Sequence, residues 1–288
     1  MILVTGATGE FGSKVIQFLL DKGITPSEIA AFVRNKEKAA DLEAKGIELR
    51  IGNYSEYNSL VKGFAGIDKL LFVSGSEIET REAQHKNVVK AAKEAGAKQI
   101  IYTSFIRNTE VENSAIKFLQ ETHFKTENWI KESGIPYTIL QNALYLDLLP
   151  MFAGEVAKNG VIVQPAENGK SNAVLRTELA EAAANVLTSE GHQNKTYPLV
   201  NHKAHSYDDV AKDISEVIGK PVNYQSPQPE KFQASLKEAN VPEEYIGIFT
   251  AFSVAQAKGE LTLEDDSLEK LLGRKPTTAK EFIGQIYH

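Results

Sequence analysis

The fold this 288-residue sequence predicts is α/β: a doubly wound parallel sheet of the Rossmann type with a smaller, mostly helical C-terminal lobe. Three observations predict it. Short apolar runs alternate with amphipathic segments through the first half, at a spacing that suits strand and crossover-helix units. The runs are continuously apolar, as strands covered on both faces are. The first run ends in a Gly-x-x-Gly-x-x-Gly turn that opens straight into a helical pattern.

Taken in order, Ile2–Thr5 reads as a buried strand and Phe11–Lys22 as a helix, with Val15, Phe18 and Leu19 on one side and Gly23 as its stop. Ile29–Val33 is a second strand, followed by a helix through "KEKAADLEAK". Ile47–Ile51 is a third strand and "YNSLVKGF" a short helix; Lys69–Val73 is a fourth strand, with a long helix from about Glu82 to Ala95. Gln99–Ser104 is a fifth strand, with a helix from about Ile116 to Glu132, and Tyr137–Leu140 is a sixth. The links are too short for anything but crossover helices between parallel neighbours.

Beyond Leu140 the pattern loosens. Glu178–Ser189 is a clear helix, Thr196–Val200 a late strand, and "SYDDVAKDISEVIGKPVNY" a helix then a strand, with Ser206 as N-cap. The tail from Pro229 is mostly helical, with "FTAF", Tyr245 and Ile248 as core of the lobe or as an apolar wall. The expected division is a dinucleotide-binding domain over residues 1–150, completed by about 174–201, and an interleaved substrate or cap lobe of 151–173 and 202–288.

Composition bounds the function. The formal net charge is −6, from 32 Lys and Arg against 38 Asp and Glu, which argues against a general nucleic-acid binder. There is no cysteine, so disulfides, thiolate metal sites and a cysteine nucleophile are excluded. His192, His202 and His205 lack ligand spacing, and "LEDD" (Leu263–Asp266) reads as helix-start charge, so no metal is expected. No apolar run is long enough to span a bilayer, and no leader precedes the first strand, so a cytoplasmic protein without membrane partners is expected. Any helix face could serve an oligomer.

Gly6, Gly9 and Gly12 give the turn the backbone freedom it needs and let the main chain approach a pyrophosphate, with helix-start N–H groups aimed at the anion. The second strand ends in Arg34, where NAD-binding sheets carry an acid. A guanidinium there pairs with a 2′-phosphate, so NADPH is the expected cofactor, with NADH an alternative.

The stretches "VTGATGEFG", "FVRN", "LLFVSGSE", "QHKNVVKAAKEAGAKQIIYTS", "KESGIPYTILQNALY" and "LEKLLGRKPTT" resemble the NmrA-like group of atypical short-chain dehydrogenases, and within it the type 2 NAD(P)H:quinone oxidoreductases. The resemblance spans nearly the whole chain. It implies flavin-free hydride transfer to quinone-like small molecules, or, as in other members of the group, a redox sensor that binds the dinucleotide without turnover. It places dinucleotide contacts on Gly6, Ala7, Thr8, Gly9, Glu10, Phe11, Gly12 and Arg34, and on Asn53 near adenine. Further contacts fall on Ser74, Gly75 and Ser76, on Ser104, and on Asn142, Ala143, Leu144, Tyr145, Leu146 and Asp147. Two positions depart from the group: Gln141 stands where an arginine is usual, and Gly75 replaces a serine.

The Tyr-x-x-x-Lys pair of alcohol-oxidising relatives falls on Leu119 and His123. A leucine exchanges no proton, so by resemblance alcohol chemistry and sugar epimerisation are disfavoured. A quinone needs less: a hydride donor held near its ring and a hydrogen-bond donor for the developing oxyanion. His123 is either a proton carrier or a histidine that bonds ribose or backbone without titrating. Asn142 and Tyr145 are candidate donors, or plain lining of the cofactor edge. His85 reads as packed or capping, with Gln84 and His85 able to edge the site.

Overall fold

The computed structural model describes residues 1–287. The first half runs β1 (Ile2–Thr5), α1 (Glu10–Asp21), β2 (Ile29–Val33), α2 (Ala40–Ala44), β3 (Glu48–Ile51), α3 (Tyr57–Gly63), β4 (Lys69–Phe72), α4 (Arg81–Glu94), β5 (Gln99–Phe105), α5 (Lys117–Ser133) and β6 (Tyr137–Asn142). The second half adds α6 (Leu149–Ala153), α7 (Val156–Asn159), β7 (Val161–Val163), α8 (Arg176–Thr188), β8 (Lys195–Leu199), α9 (Tyr207–Ile218), β9 (Asn223–Gln225), α10 (Pro229–Glu238), α11 (Glu243–Ala257), α12 (Ser267–Leu272) and α13 (Ala279–Ile286).

Seven strands form one sheet in the order β3-β2-β1-β4-β5-β6-β8, every neighbouring pair parallel. All seven C-terminal ends therefore lie on one edge. The order reverses at β1, between β2 and β4, which opens a crevice above the first strand.

Period-two alternation sends neighbouring residues to opposite faces. Val4, Leu71, Ile101 and Leu140 join Val15, Leu19 and Leu179 in one buried cluster, with α1 and α8 lying over that face. Leu3, Leu70, Ile100 and Ile139 join Leu60, Val88 and Ile130 in the other, under α3, α4 and α5. Each fully buried aliphatic side chain contributes about 1.5–3 kcal/mol, so the sheet is a rigid platform for its loops.

A third cluster gathers Leu146, Leu149, Phe152, Ile162, Tyr207, Val210, Ile214 and Ile283 around the small parallel pair β7–β9. Ser206 caps α9 by accepting the Asp209 N–H, as its place before two acids predicts. In the tail, Tyr245 departs from its expected core position: it is exposed, and its helix turns Ile246 inward instead. Ile246 shares its face of α11 with the buried Thr250 and Ser253, one and two turns on. Among the described residues no helix is long and apolar enough to cross a membrane.

Candidate active site

The glycine loop is built by contact distances that only glycine tolerates. Gly6 has φ +60° and accepts the Gly9 N–H at 2.9 Å. A Cβ on Gly12 would stand 2.3 Å from the Gly6 carbonyl oxygen and 3.0 Å from the Ala7 Cα, both backbone. Gly12 is buried while Gly6, Thr8, Gly9 and Glu10 are exposed at the mouth. Ser13 is the first residue of α1 to bond back, to Gly9 O at 3.0 Å, which leaves the N–H groups of the first turn facing the crevice. Gly9 offers no side chain to cap them. Beneath the loop, Thr5 ties the β1 and β4 ends: its hydroxyl donates to Leu71 O and accepts from Val73 N. Tyr54, held protonated by burial, hydrogen-bonds Thr5 and Val73 O.

Arg34 follows β2 on the same edge. Its side chain is three-quarters exposed and pairs with Glu77 at 2.9 Å. Glu77 also accepts from Gln84 and Thr80, and these contacts hold its carboxyl below the usual range, Gln84 foremost. Asn53 lies after β3, where its side chain closes a turn by accepting from the Ser55 and Glu56 N–H groups and donating to Glu56.

The Ser74–Gly75–Ser76 loop is held from below. Ser74 N–H donates to Thr103, and Gly75 N–H donates to His85 Nε2 at 3.0 Å. That donation fixes the tautomer of His85: the proton sits on Nδ1 and goes to Thr126. Burial drops the His85 pKa to about 3, so the ring stays neutral. A Cβ on Gly75 would come within 3.3 Å of the Gln84 amide oxygen and 3.6 Å of His85 Nε2, so the loop packs closely on both side chains. His85 is thus a support of the loop, fully buried.

His123 lies deeper. Its Nδ1 meets the buried Tyr102 hydroxyl at 2.7 Å, and burial, with the Arg81 charge, holds it well below its ordinary pKa. It is a neutral, sealed imidazole. Leu119 packs against the apolar cluster beside it in sequence.

Ser104, at the end of β5, donates to Glu127 at 2.5 Å. Glu127 is buried and also takes Arg107 at 2.9 Å and Gln141 at 3.1 Å. The Gln141 departure therefore has a structural reason: an amide completes this carboxylate, which Arg107 already neutralises.

At the end of β6, Asn142 is buried and neither its Oδ1 nor its Nδ2 has a partner among the described residues. Beside it stands Tyr145, whose phenol burial pushes upward in pKa and whose ring lies near the Asn142 amide without hydrogen-bond geometry. Asp147 accepts the Arg176 N–H at 2.7 Å and so caps α8. The Arg176 guanidinium lies 4.6 Å over the Tyr145 ring and pairs with Glu10 of the glycine loop. Arg176 thus joins the two ends of the crevice. Sequence reasoning missed it, because no motif marks a helix-start arginine whose partners lie some 30 and 165 residues away.

The model of the NmrA-like family matches residues 1–283. The chain belongs to the NmrA-like family. Quinone oxidoreductase 2 of Escherichia coli (strain K12) is 35% identical over 288 residues, covering all of this chain and 99% of its own length. The crystal structure of the E. coli NADPH-dependent quinone oxidoreductase complexed with NADPH superposes with a TM-score of 0.94 over all of both chains. The Citrobacter sp. triphenylmethane reductase complexed with NADP(H) is 45% identical, with a TM-score of 0.90 over 99% of each chain. The NAD(P)H azoreductase of Xenophilus azovorans is 28% identical, covering 98% of this chain and 96% of its own.

The edge fits a nicotinamide dinucleotide on its own geometry. The glycine cradle has no room for a Cβ at Gly12, the first turn of α1 offers unpaired N–H groups, and Asn142 holds a buried amide in want of partners. Gly6–Gly12 and the Ser74–Ser76 loop are the residues able to hold its phosphates and ribose.

Proposed function

We propose that this chain is an NADPH-dependent reductase that passes hydride to quinones or related small aromatic acceptors, with no flavin. The observation that carries the reading is Asn142. An amide with both polar atoms buried and unpartnered is costly, about 1–3 kcal/mol, and such a cost is retained where a ligand relieves it. The full-length likeness to quinone oxidoreductase 2 supports the acceptor class.

The bound dinucleotide would supply the hydride. The chain's own residues do the rest. The N–H groups at the start of α1 bind the pyrophosphate, and Arg34 takes the 2′-phosphate once it leaves Glu77. His85 and Thr103 fix the Ser74–Gly75 backbone that borders the ribose. Asn142 orients the nicotinamide end. Tyr145, its pKa raised, stays protonated at neutral pH and donates to the developing oxyanion. Leu119 and the sealed His123 supply no acid, so the one proton that completes the hydroquinone after hydride transfer comes from solvent, which a quinone permits and an alcohol–ketone exchange does not favour.

The test is NADPH consumption by the purified protein with 1,4-benzoquinone, an azo dye and a triphenylmethane dye. The expected result is oxidation with the quinone, faster with NADPH than with NADH. Folded protein that binds NADPH yet consumes none with any acceptor overturns the reading and leaves a sensor.

A further inference from the structure

A small cavity adjoins the crevice on the side of the third cluster. It is part-open, and the space it offers is about 20 Å³, room for a water-sized atom and far less than a ring. Its apolar walls are Leu144, Leu146, Leu149, Phe152 and Ala173, and Tyr145 lines it as well. Three polar side chains also line it: Ser171, His205 and Tyr207. Ser171 and His205 face each other across an antiparallel bridge, with backbone bonds of 2.9 and 3.0 Å, and Tyr207 opens α9 just beyond.

None of the three is satisfied among the described residues. Ser171 Oγ is buried without a partner. The His205 ring and the Tyr207 phenol make no side-chain hydrogen bond; burial keeps the ring neutral against the opposing Asp209 charge, and burial, with Tyr224 beside it, keeps the phenol protonated. The Ser171 hydroxyl carries the cost of an unmade buried hydrogen bond, and the half-buried His205 ring and the Tyr207 phenol line the same apolar-walled space without a side-chain partner. No Lys, Arg, Asp or Glu lines the space, so it suits neither an anion nor a cation. Gln256, also on the wall, gives its amide N–H to Gly169 O and keeps its oxygen free to accept.

We propose that this cavity is an acceptor subsite that takes one uncharged oxygen, a ring carbonyl, as a hydrogen-bond acceptor from Ser171, His205 and Tyr207. The ring itself lies outside, against Tyr145. Once that oxygen carries a proton, Gln256 can accept from it, so one site holds the carbonyl and its hydroxyl form. The inference rests on the reductase reading for the nature of the acceptor, and it adds which residues select it. Ligands whose ring bears a carbonyl are preferred over ligands of equal area that carry a charge there.

The experiment is calorimetric titration of 1,4-naphthoquinone into the protein–NADP+ complex, which cannot turn over. Tyr207→Phe and Ser171→Ala each remove one donor, and each is expected to weaken naphthoquinone about fivefold or more. Ser171→Val fills the space and is expected to abolish binding. The Kd for NADP+ stays within twofold of wild type in all three. Ser171→Ala also loses an unpartnered hydroxyl, so its Tm holds or rises; a fall shows that the hydroxyl has a structural partner and overturns the proposal. Unchanged naphthoquinone affinity in the three variants overturns it too, and if wild type still reduces the quinone, the reductase reading stands alone. Variant-sensitive binding without NADPH consumption leaves the subsite standing and removes the reductase reading.

Discussion

Gly12→Ala is the sharpest perturbation of the cofactor cradle. The new methyl would sit 2.3 Å from Gly6 O and 2.8 Å from Gly6 C, where real Cβ contacts do not occur. Neither neighbour is a side chain that can swing away. The loop must move by roughly 1 Å to restore van der Waals contact, an overpacking that costs about 1–3 kcal/mol of stability. The same shift misaims the N–H groups at the start of α1. Hydrogen bonds to a charged group contribute about 1.5–3 kcal/mol each, so losing one weakens NADPH by roughly ten- to a hundredfold. Gly9→Ala is the control: its Cβ would meet Gly6 O at 3.3 Å, a clash of a few tenths of an ångström. NADPH titration by fluorescence, with Tm on the same samples, reads both effects. Gly12→Ala binding NADPH within twofold of wild type, at unchanged Tm, would refute the argument that backbone proximity makes this site.

Other outcomes follow from the same geometry. Arg34→Ala should weaken NADPH roughly ten- to hundredfold while leaving NADH nearly unchanged. Glu77→Gln frees the guanidinium from an exposed pair, so it should tighten NADPH by about two- to fivefold and leave NADH alone; equal effects on both cofactors would remove Arg34 from the 2′-phosphate. Asn142→Leu replaces an unpartnered buried amide by an apolar group of like size, so apo stability should rise by about 1 kcal/mol while dinucleotide affinity falls; a loss of stability would show that the amide is already paired. His85 and His205 titrate near 3 and 4 when folded, against about 6.5 when unfolded. The unfolded chain therefore binds more protons below pH 6.5, so this stability is full above that pH and lost on acidification, by about 2 kcal/mol per ring at pH 5. Chemical denaturation at pH 7.5 and pH 5 checks the sign.

The parallel sheet was legible because its strands are apolar runs bounded by turn residues: β1 and β2 fall on the residues their sequence pattern marks. β6 runs two residues further than its apolar run, through Gln141 and Asn142, because pairing with β5 and β8 carries polar residues into the ladder. β9 overlaps the strand expected at the end of "SYDDVAKDISEVIGKPVNY", but its pairing with β7 was not legible, since three-residue strands carry no register signal. The glycine cradle was legible as a motif. The Glu127 centre was not: Ser104, Arg107 and Gln141 converge on it from β5, the loop after it and β6, which is knowledge of the fold and not of any local pattern. Arg176 and the Ser171–His205–Tyr207 cavity were hidden for the same reason. His123 was readable as a residue of interest, and its burial against Tyr102 is what gives it a neutral, enclosed place.

The central claim is that the chain binds NADPH on the glycine edge and hands its hydride to a quinone without another redox group. A single-turnover experiment tests it most directly. Protein shown by absorbance to carry no flavin is mixed anaerobically with one equivalent of NADPH and excess 1,4-benzoquinone, and the 340 nm band and the hydroquinone are measured together. The account predicts loss of one NADPH for each hydroquinone formed. Persistence of the 340 nm band in folded, NADPH-bound protein, or turnover only after flavin is added, would contradict it.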